Sequence, residues 1–230
     1  MSAAFPMPRL HQAGHVIIAI AMAVTLLAFM LSACLGFISL LPLSFCVYFF
    51  RDPDRMVPQG EGLMVAPADG RVIAVQDVVP PPELELGDEA RTRVTIFLSV
   101  FNVHVNRIAA TGRVRKKIYN PGKFLHAAAD KASADNERLS LVIDLPEPGK
   151  DYAQIQIAGL IARRIICDAT QGQEVQTGVR YGIIRFGSRA DIYLPSGATA
   201  QVAVGQTMIG GETVLADWRT PQPARTGIMQ

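Results

Sequence analysis

Residues 185–195 read RFGSRADIYLP and place a Gly187–Ser188 bond between two short runs of strand-forming residues. Most Gly-Ser pairs are turns, because glycine adopts backbone conformations that other residues resist. Taken alone, this pair therefore predicts a hairpin corner in a β-rich fold. Three other stretches of the chain change what the pair predicts.

Those stretches are PADG at 67–70, FNVHVNR at 101–107, and a long apolar N-terminus that ends in FFRDP at 49–53. In this order and at these spacings, the set resembles the phosphatidylserine decarboxylase proenzymes, specifically their short form. The resemblance extends from about residue 49 to residue 218, nearly all of the chain outside the apolar N-terminus. It implies a precursor that breaks its own Gly187–Ser188 bond and converts Ser188 into an N-terminal pyruvoyl group.

The resemblance also implies roles for the residues around this bond. Ser188 attacks the Gly187 carbonyl, His104 takes the hydroxyl proton, and Asp69 orients His104, so the three form a triad that acts on its own chain. The pyruvoyl group at residue 188 then forms a Schiff base with the amine of phosphatidylserine. It serves as the electron sink while CO₂ leaves, which gives phosphatidylethanolamine without pyridoxal phosphate or a metal.

The residues alone leave simpler alternatives open. His104 lies in an alternating strand, where a lone histidine is most often a hydrogen-bonded core or edge residue, and Asp69 before a glycine is a common turn residue. His104 is the visible proton donor, but longer bacterial relatives carry a second histidine three residues earlier. This chain has Phe101 there, so the identity of the donor stays open. A short family motif also matches at Asn136-Glu137-Arg138, with no role assigned.

Composition limits the class of protein. The 230 residues are 50% hydrophobic and 18% charged, which suits one medium domain with a membrane segment. The net charge is +2 and no Lys/Arg block dominates a face, so nucleic acid is not an expected partner. The three cysteines are scattered and odd in number, which argues against a disulfide framework and against a metal site.

The N-terminus predicts a membrane anchor. Residues 16–50 carry no charge, and as one helix they would reach on the order of 50 Å, against a hydrocarbon core of about 30 Å. Two helices at 14–34 and 37–50, broken at Gly36 and Pro42, fit better than one tilted span. Arg9 before the stretch and Arg51 after it favour a hairpin in the cell membrane, with both ends and the catalytic domain on the cytoplasmic side.

The remaining chain predicts a mainly β fold. Residues 1–50 form the anchoring segment, 51–62 a Pro- and Gly-containing linker, and 63–230 a β-sandwich or barrel-sandwich-like catalytic domain behind the helical membrane hairpin. Residues 80–89 are expected to be an exposed connection, and 123–136 a short helix or an irregular loop. Alternation of apolar residues predicts strands at 63–66, 72–75, 93–99, 103–108, 112–119, 138–145, 153–160 and 164–168.

Cleavage would give a β chain, 1–187, and an α chain, 188–230, that stay together as a heterodimer, with further dimerisation open. The alternatives are a membrane-tethered barrel-sandwich adaptor without catalysis, or a decarboxylase of a related lipid such as archaetidylserine. Glycine turns recur around residues 69–70 and around 178–215, but 179–204 contain no lysine, which argues against a swinging-arm carrier. A serine hydrolase ranks last, because Ser188 lacks the second glycine of a G-x-S-x-G elbow.

Overall fold

The structure is a computed structural model that describes residues 9–122, 136–159, 164–185, 187–220 and 222. The chain divides into two compact units, residues 1–54 and 55–230. The predicted helix or loop at 123–136 lies outside the described residues except for Asn136.

The first unit is a helical hairpin whose open ends are joined by a short antiparallel strand pair. Ser32, extended at φ −164° and ψ 136°, is the single residue between the two helices. The predicted break at Gly36 and Pro42 is therefore wrong, since both residues lie inside the second helix. In chain order the elements are β1 (Arg9–Leu10), α1 (His15–Leu31), α2 (Ala33–Phe49) and β2 (Arg51–Asp52).

Gly36 serves the contact between the helices instead. A Cβ at this position would lie 2.1 Å from the ring of Phe29 on α1, so a larger residue would push the helices apart. Most large apolar side chains of the hairpin face outwards, with Met30 84% and Leu41 74% exposed. Among the described residues, one helical stretch, Gln12–Leu31, is long and apolar enough to cross a membrane by length and composition.

The second unit is mainly β, as predicted, and the predicted strands have counterparts that differ only at their ends. A curled antiparallel sheet of eight strands has the order β11-β7-β8-β9-β13-β5-β4-β14, and two smaller sheets have the orders β10-β12-β6 and β15-β3. The strands are β3 (Leu63–Val65), β4 (Gly70–Val78), β5 (Arg91–Leu98), β6 (Val105–Arg107), β7 (Gly112–Asn120), β8 (Arg138–Asp144), β9 (Asp151–Ala158), β10 (Ile165–Cys167), β11 (Glu174–Val175), β12 (Arg180–Ile184), β13 (Ser188–Tyr193), β14 (Thr207–Met208) and β15 (Val214–Asp217).

An internal repeat flanks the central pair β9–β13. Strands β4 and β7 both begin with Gly-Arg-Val, at 70–72 and 112–114, and both shift register directly after the valine. Gly205 N–H donates to the carbonyl of the first valine at 2.8 Å, and Gly172 N–H donates to that of the second at 2.7 Å. The structure therefore contains an internal repeat that relates 70–72 to 112–114, while the similarity between 69–70 and 178–215 stays a prediction.

The main core lies between the inner face of the eight-stranded sheet and the two smaller sheets. Side chains alternate along β13, so that Ala190 and Ile192 face this core while Tyr193 faces the outer side. Leu84 and Leu86 pack against that outer side and are almost fully buried. The prediction that 80–89 is an exposed connection is therefore wrong at these two leucines.

The substitution Gly112→Ala tests the close approach of β7 to β8. A Cβ at Gly112 would lie 2.2 Å from the backbone oxygen of Asp144, so we expect a loss of about 1–3 kcal/mol in the free energy of unfolding, measured by denaturation in detergent. Gly87→Asn is the control, because an added Cβ there meets no atom within 4 Å and asparagine tolerates its positive φ. Equal losses in the two variants would contradict the crowding at Gly112.

Candidate active site

The Gly187–Ser188 bond lies at the beginning of β13, a buried strand that is paired on both of its sides. Ser188 is the first residue of β13, where it pairs with Leu98 of β5 on one side and Ala158 of β9 on the other. Its side chain is fully buried, and its hydroxyl oxygen has no hydrogen-bond partner among the described residues. A buried hydroxyl without a partner is unusual in a folded protein, and catalytic use is one of the recognised reasons for it.

The backbone conformation at position 187, and not a lack of space, favours glycine there. Its φ is +65°, in the left-handed region that most residues avoid. A Cβ at this position would lie 3.8 Å from Val100 Cγ1, which is an ordinary van der Waals distance. The chain therefore enters β13 through a left-handed residue placed at the bond that the sequence singled out.

His104 contacts Gly187 directly, in a tautomer that its two hydrogen bonds define. Its Nε2 accepts the Gly187 N–H at 3.2 Å, and its Nδ1 lies 3.0 Å from the backbone oxygen of Asn102. A carbonyl oxygen only accepts, so Nδ1 carries the proton and Nε2 presents its lone pair. The structure thus brings a neutral, fully buried imidazole to the residue before Ser188, with its basic nitrogen facing the chain.

A tight turn holds the oxygen that fixes this tautomer. Asn102 Oδ1 accepts from both the N–H and the hydroxyl of Ser99, each at 2.8 Å, and Asn102 N–H donates back to Ser99 O at 3.0 Å. Sequence reasoning missed both residues, although an asparagine that closes such a turn is a recognisable local signal. Phe101 lies at the tip of this turn with 64% of its surface exposed.

Asp69 is tied to another part of the fold by the contacts described for it. Its Oδ1 accepts the Gly210 N–H at 2.8 Å, and its Oδ2 forms an ion pair with Arg55 at 2.8 Å. The first contact is a feature of the internal repeat, since Thr111 Oγ1 accepts the Thr177 N–H at the equivalent place. Thr111 is uncharged, so it forms no equivalent of the ion pair between Asp69 and Arg55. That Asp69 orients His104 stays a prediction.

Two buried amides lie on the inner face near Ser188. Gln156 pairs with Ala190, two residues along β13 from Ser188 and on the same face. Its Nε2 donates to Asn106 Oδ1 at 2.7 Å, while Gln156 Oε1 and Asn106 Nδ2 are buried without partners among the described residues. Asn106 also lies two residues after His104, so this amide pair links β6, which follows His104, to β9, which pairs with Ser188.

The motif at 136–138 supports the strand next to Ser188. Asn136 Nδ2 donates to the backbone oxygen of Ala158 at 2.7 Å, and Ala158 is the direct partner of Ser188 on β9. On the outer face, Arg189 and Asp191 form a buried ion pair, with Nε–Oδ1 at 2.7 Å and Nη2–Oδ2 at 3.0 Å. Both contacts fix the strands around residue 188, and sequence patterns alone indicated neither.

Comparison with known proteins identifies the family of this chain. The sequence profile described as phosphatidylserine decarboxylase matches residues 43–216. The chain belongs to the phosphatidylserine decarboxylase family. A Ruegeria pomeroyi protein is 51% identical over 208 residues, covering 90% of this chain and 94% of the relative. A Granulibacter bethesdensis protein is 60% identical over 173 residues, covering 75% of this chain and 70% of the relative, and both relatives are named phosphatidylserine decarboxylase proenzyme.

Membership of the phosphatidylserine decarboxylase family makes this chain an enzyme of the carboxy-lyase class. A Cereibacter sphaeroides relative with the same proenzyme name is 51% identical over 218 residues, 95% of this chain and 94% of the relative, so the N-terminal hairpin falls largely within the matched length. Within the ranges that the structure describes, no group of three or more His, Cys, Asp or Glu side chains could hold a metal ion.

The amide pair allows a test of how the inner face is held together. Gln156→Met should lower the free energy of unfolding by about 1–3 kcal/mol, because it leaves Asn106 Oδ1 buried without its donor. The double variant Asn106→Leu/Gln156→Met should recover most of that loss, since removing both partners leaves no stranded group. Thermal unfolding of the three proteins measures the effect, and a double variant less stable than Gln156→Met would contradict the pairing.

Proposed function

We propose that this enzyme decarboxylates phosphatidylserine to phosphatidylethanolamine after it breaks its own Gly187–Ser188 bond and converts Ser188 into a pyruvoyl group. Family membership and the proenzyme names of its relatives support the reaction and the existence of a precursor. The observation that carries the self-cleavage is the lone pair of His104 Nε2, held 3.2 Å from the Gly187 nitrogen.

The proposed scission needs only groups of this chain and water. Ser188 Oγ adds to the Gly187 carbonyl carbon, its proton passes to His104 Nε2, and the C–N bond breaks so that an ester replaces the amide. Loss of the α-proton of residue 188 then expels the Gly187 carboxylate and leaves dehydroalanine. Water releases ammonia from that residue and leaves a ketone at its α-carbon.

The local geometry suits the first step. Gly187 has no side chain to obstruct the attack on its carbonyl, and it adopts a left-handed conformation that other residues resist. In the precursor the Gly187 N–H occupies His104 Nε2, so the imidazole must exchange this donor for the Ser188 hydroxyl, which has no partner among the described residues. Asp69 stays the proposed orienting carboxylate, while Asn102 O contacts Nδ1 in the precursor.

A pyruvoyl group at residue 188 fits the site, because its precursor hydroxyl is buried without a partner among the described residues, and the residue before it contacts a neutral imidazole. The group would supply an electron sink for the charge left when CO₂ departs. His104 is the proposed proton donor to the α-carbon of the substrate, since a neutral imidazole can hold a proton and give it back. Phe101, in the place of the second histidine of longer relatives, cannot take this role.

The two products of cleavage are proposed to stay together. Strand β13 belongs to the α chain, while its neighbours β5 and β9 both belong to the β chain. Six consecutive residues of β13 are paired on each side, and its inner face is buried in the main core. This supports a stable heterodimer of 1–187 and 188–230, with any further dimerisation left to measurement.

The anchor supports a membrane lipid as the substrate. A diacyl lipid leaves the bilayer only at a cost of about 0.8 kcal/mol per CH₂ group, so an enzyme that acts on its headgroup benefits from a place at the surface. The apolar hairpin provides one, and Arg9 and Arg51 at its two ends favour a cytoplasmic position of the catalytic unit. Archaetidylserine carries the same headgroup, so the substrate test includes both lipids.

The variants Ser188→Ala and His104→Gln test the self-cleavage. We expect both to remain single chains without decarboxylase activity, because one lacks the nucleophile and the other keeps the volume but not the base. Gel electrophoresis and CO₂ release from phosphatidylserine measure the two effects, and matching thermal unfolding curves for the two uncleaved proteins control for misfolding. A His104→Gln protein that cleaves at the wild-type rate would refute the role of His104.

A further inference from the structure

The two amides on the inner face near residue 188 keep hydrogen-bonding capacity that the fold does not use. Gln156 Nε2 donates to two oxygens, Asn106 Oδ1 at 2.7 Å and the backbone oxygen of Ile166 at 3.5 Å, which assigns the nitrogen and the oxygen of the Gln156 amide. Gln156 Oε1 and Asn106 Nδ2 have no partner among the described residues. Asn106 and Gln156, here called the amide pair, therefore present one acceptor and one donor group.

The amide pair is costly for the folded protein. Asn106 and Gln156 are both 0% exposed, so bulk water does not reach their polar atoms. Burying a polar group without a partner lowers stability, whereas an apolar pair of similar volume, such as leucine with methionine, would carry no such cost. A ligand that brings both an acceptor and a donor would satisfy the two groups.

The amide pair faces the same side of the sheet as residue 188. Ala190 is the partner of Gln156 and Ser188 the partner of Ala158, so Gln156 and Ser188 are diagonal neighbours on adjacent strands. Such neighbours lie about 7–8 Å apart, which is within reach of a long side chain. Ala190 packs in the main core, and residue 188, two positions away, points to the same face.

We propose that the amide pair binds the amino-acid end of the substrate headgroup; this inference rests on the function proposed above. The serine headgroup has an amine that donates and a carboxylate that accepts, which matches the two groups of the pair. Asn106 Nδ2 donates to a carboxylate oxygen, and Gln156 Oε1 accepts an N–H of the amine. The carboxylate carbon is two bonds from the amine nitrogen, so both groups reach the pair while the amine lies at residue 188.

A neutral donor suits a carboxylate that must leave as CO₂. A lysine or arginine would stabilise the carboxylate of the bound substrate more than the transition state, in which the negative charge has moved away, and would slow the reaction. An uncharged amide orients the carboxylate with a weaker hold on its charge. Loss of this contact should therefore raise KM more than it lowers kcat.

The kinetic test uses the full-length processed enzyme, because Ser188 and both amides are buried in the uncleaved chain. The variant Asn106→Leu/Gln156→Met removes both polar groups and leaves neither stranded. With monomeric dihexanoylphosphatidylserine, we expect its KM to rise about tenfold or more, which corresponds to about 1.4 kcal/mol, with kcat changed less. Asn106→Asp, measured at pH 8, keeps the oxygen that faces Gln156 and should raise KM at least as much, because like charges repel.

Gln154→Met is the matched control. Gln154 lies on the same strand and face, where it is 1% exposed and its Oε1 accepts the Ala109 N–H at 3.1 Å. It pairs with Ile192, two residues further from Ser188 than the partner of Gln156. The substitution removes an equally buried amide away from residue 188, so its KM should equal that of the wild type. Intact mass of every variant checks cleavage at residue 188.

Ligand preference gives a second readout that needs no turnover. Each processed protein is first treated with borohydride, which reduces a ketone at residue 188 to an alcohol, so that neither ligand is consumed. The wild type and Gln154→Met should bind glycerophosphoserine about tenfold or more tightly than glycerophosphoethanolamine, which lacks only the carboxylate. The double variant should bind the two ligands about equally.

The outcomes separate this inference from the proposed function. A wild type that stays a single chain, or cleaves without decarboxylating the lipid, would overturn the proposed function, and the inference would fall with it. An active wild type beside a double variant with unchanged KM and unchanged ligand preference would overturn the inference alone. Variants that unfold like the wild type but no longer cleave would assign the amide pair to processing and would also overturn it.

Discussion

The pairing of β13 on both of its sides is the constraint on which the site depends. Backbone ladders to β5 and β9 hold all six residues of the strand, and Ser188 is the first of them. Residues 189–193 of the strand stay paired on both sides whatever happens to the Gly187–Ser188 bond. Under the proposed self-cleavage, these ladders would hold residue 188 in place after Gly187 had become a chain end.

The internal repeat explains why the central pair is so well enclosed. Two similar repeats extend the sheet by three strands on either side of β9 and β13: β4, β5 and β14 on one side, and β7, β8 and β11 on the other. The functional groups depart from this symmetry. Asp69 and Thr111 each accept a backbone N–H at equivalent places, from Gly210 and Thr177, but only Asp69 carries a carboxylate, which pairs with Arg55. His104 and the turn at Asn102 lie in the connection between β5 of the first repeat and β7 of the second.

Features that depend on local pattern could be predicted from the sequence. The strands follow from alternation, because one face of each is buried in a sandwich. The family resemblance predicted that His104 acts at the Gly187–Ser188 bond, and the structure shows that the Gly187 N–H donates to His104 Nε2. The helix break could not be located, because Ser32 has no special signature and Gly36 is used for contact with Phe29. Contacts that depend on strand register could not be predicted either, because Gln156 meets Asn106 only once the strands are paired.

The intact mass of the decarboxylating protein tests the central claim most directly. A native particle should contain both pieces, and denaturation should separate residues 1–187 from an α chain that is one ammonia lighter than the same chain with an N-terminal serine. Fully active enzyme in which the polypeptide is still continuous from Gly187 to Ser188 would contradict the account.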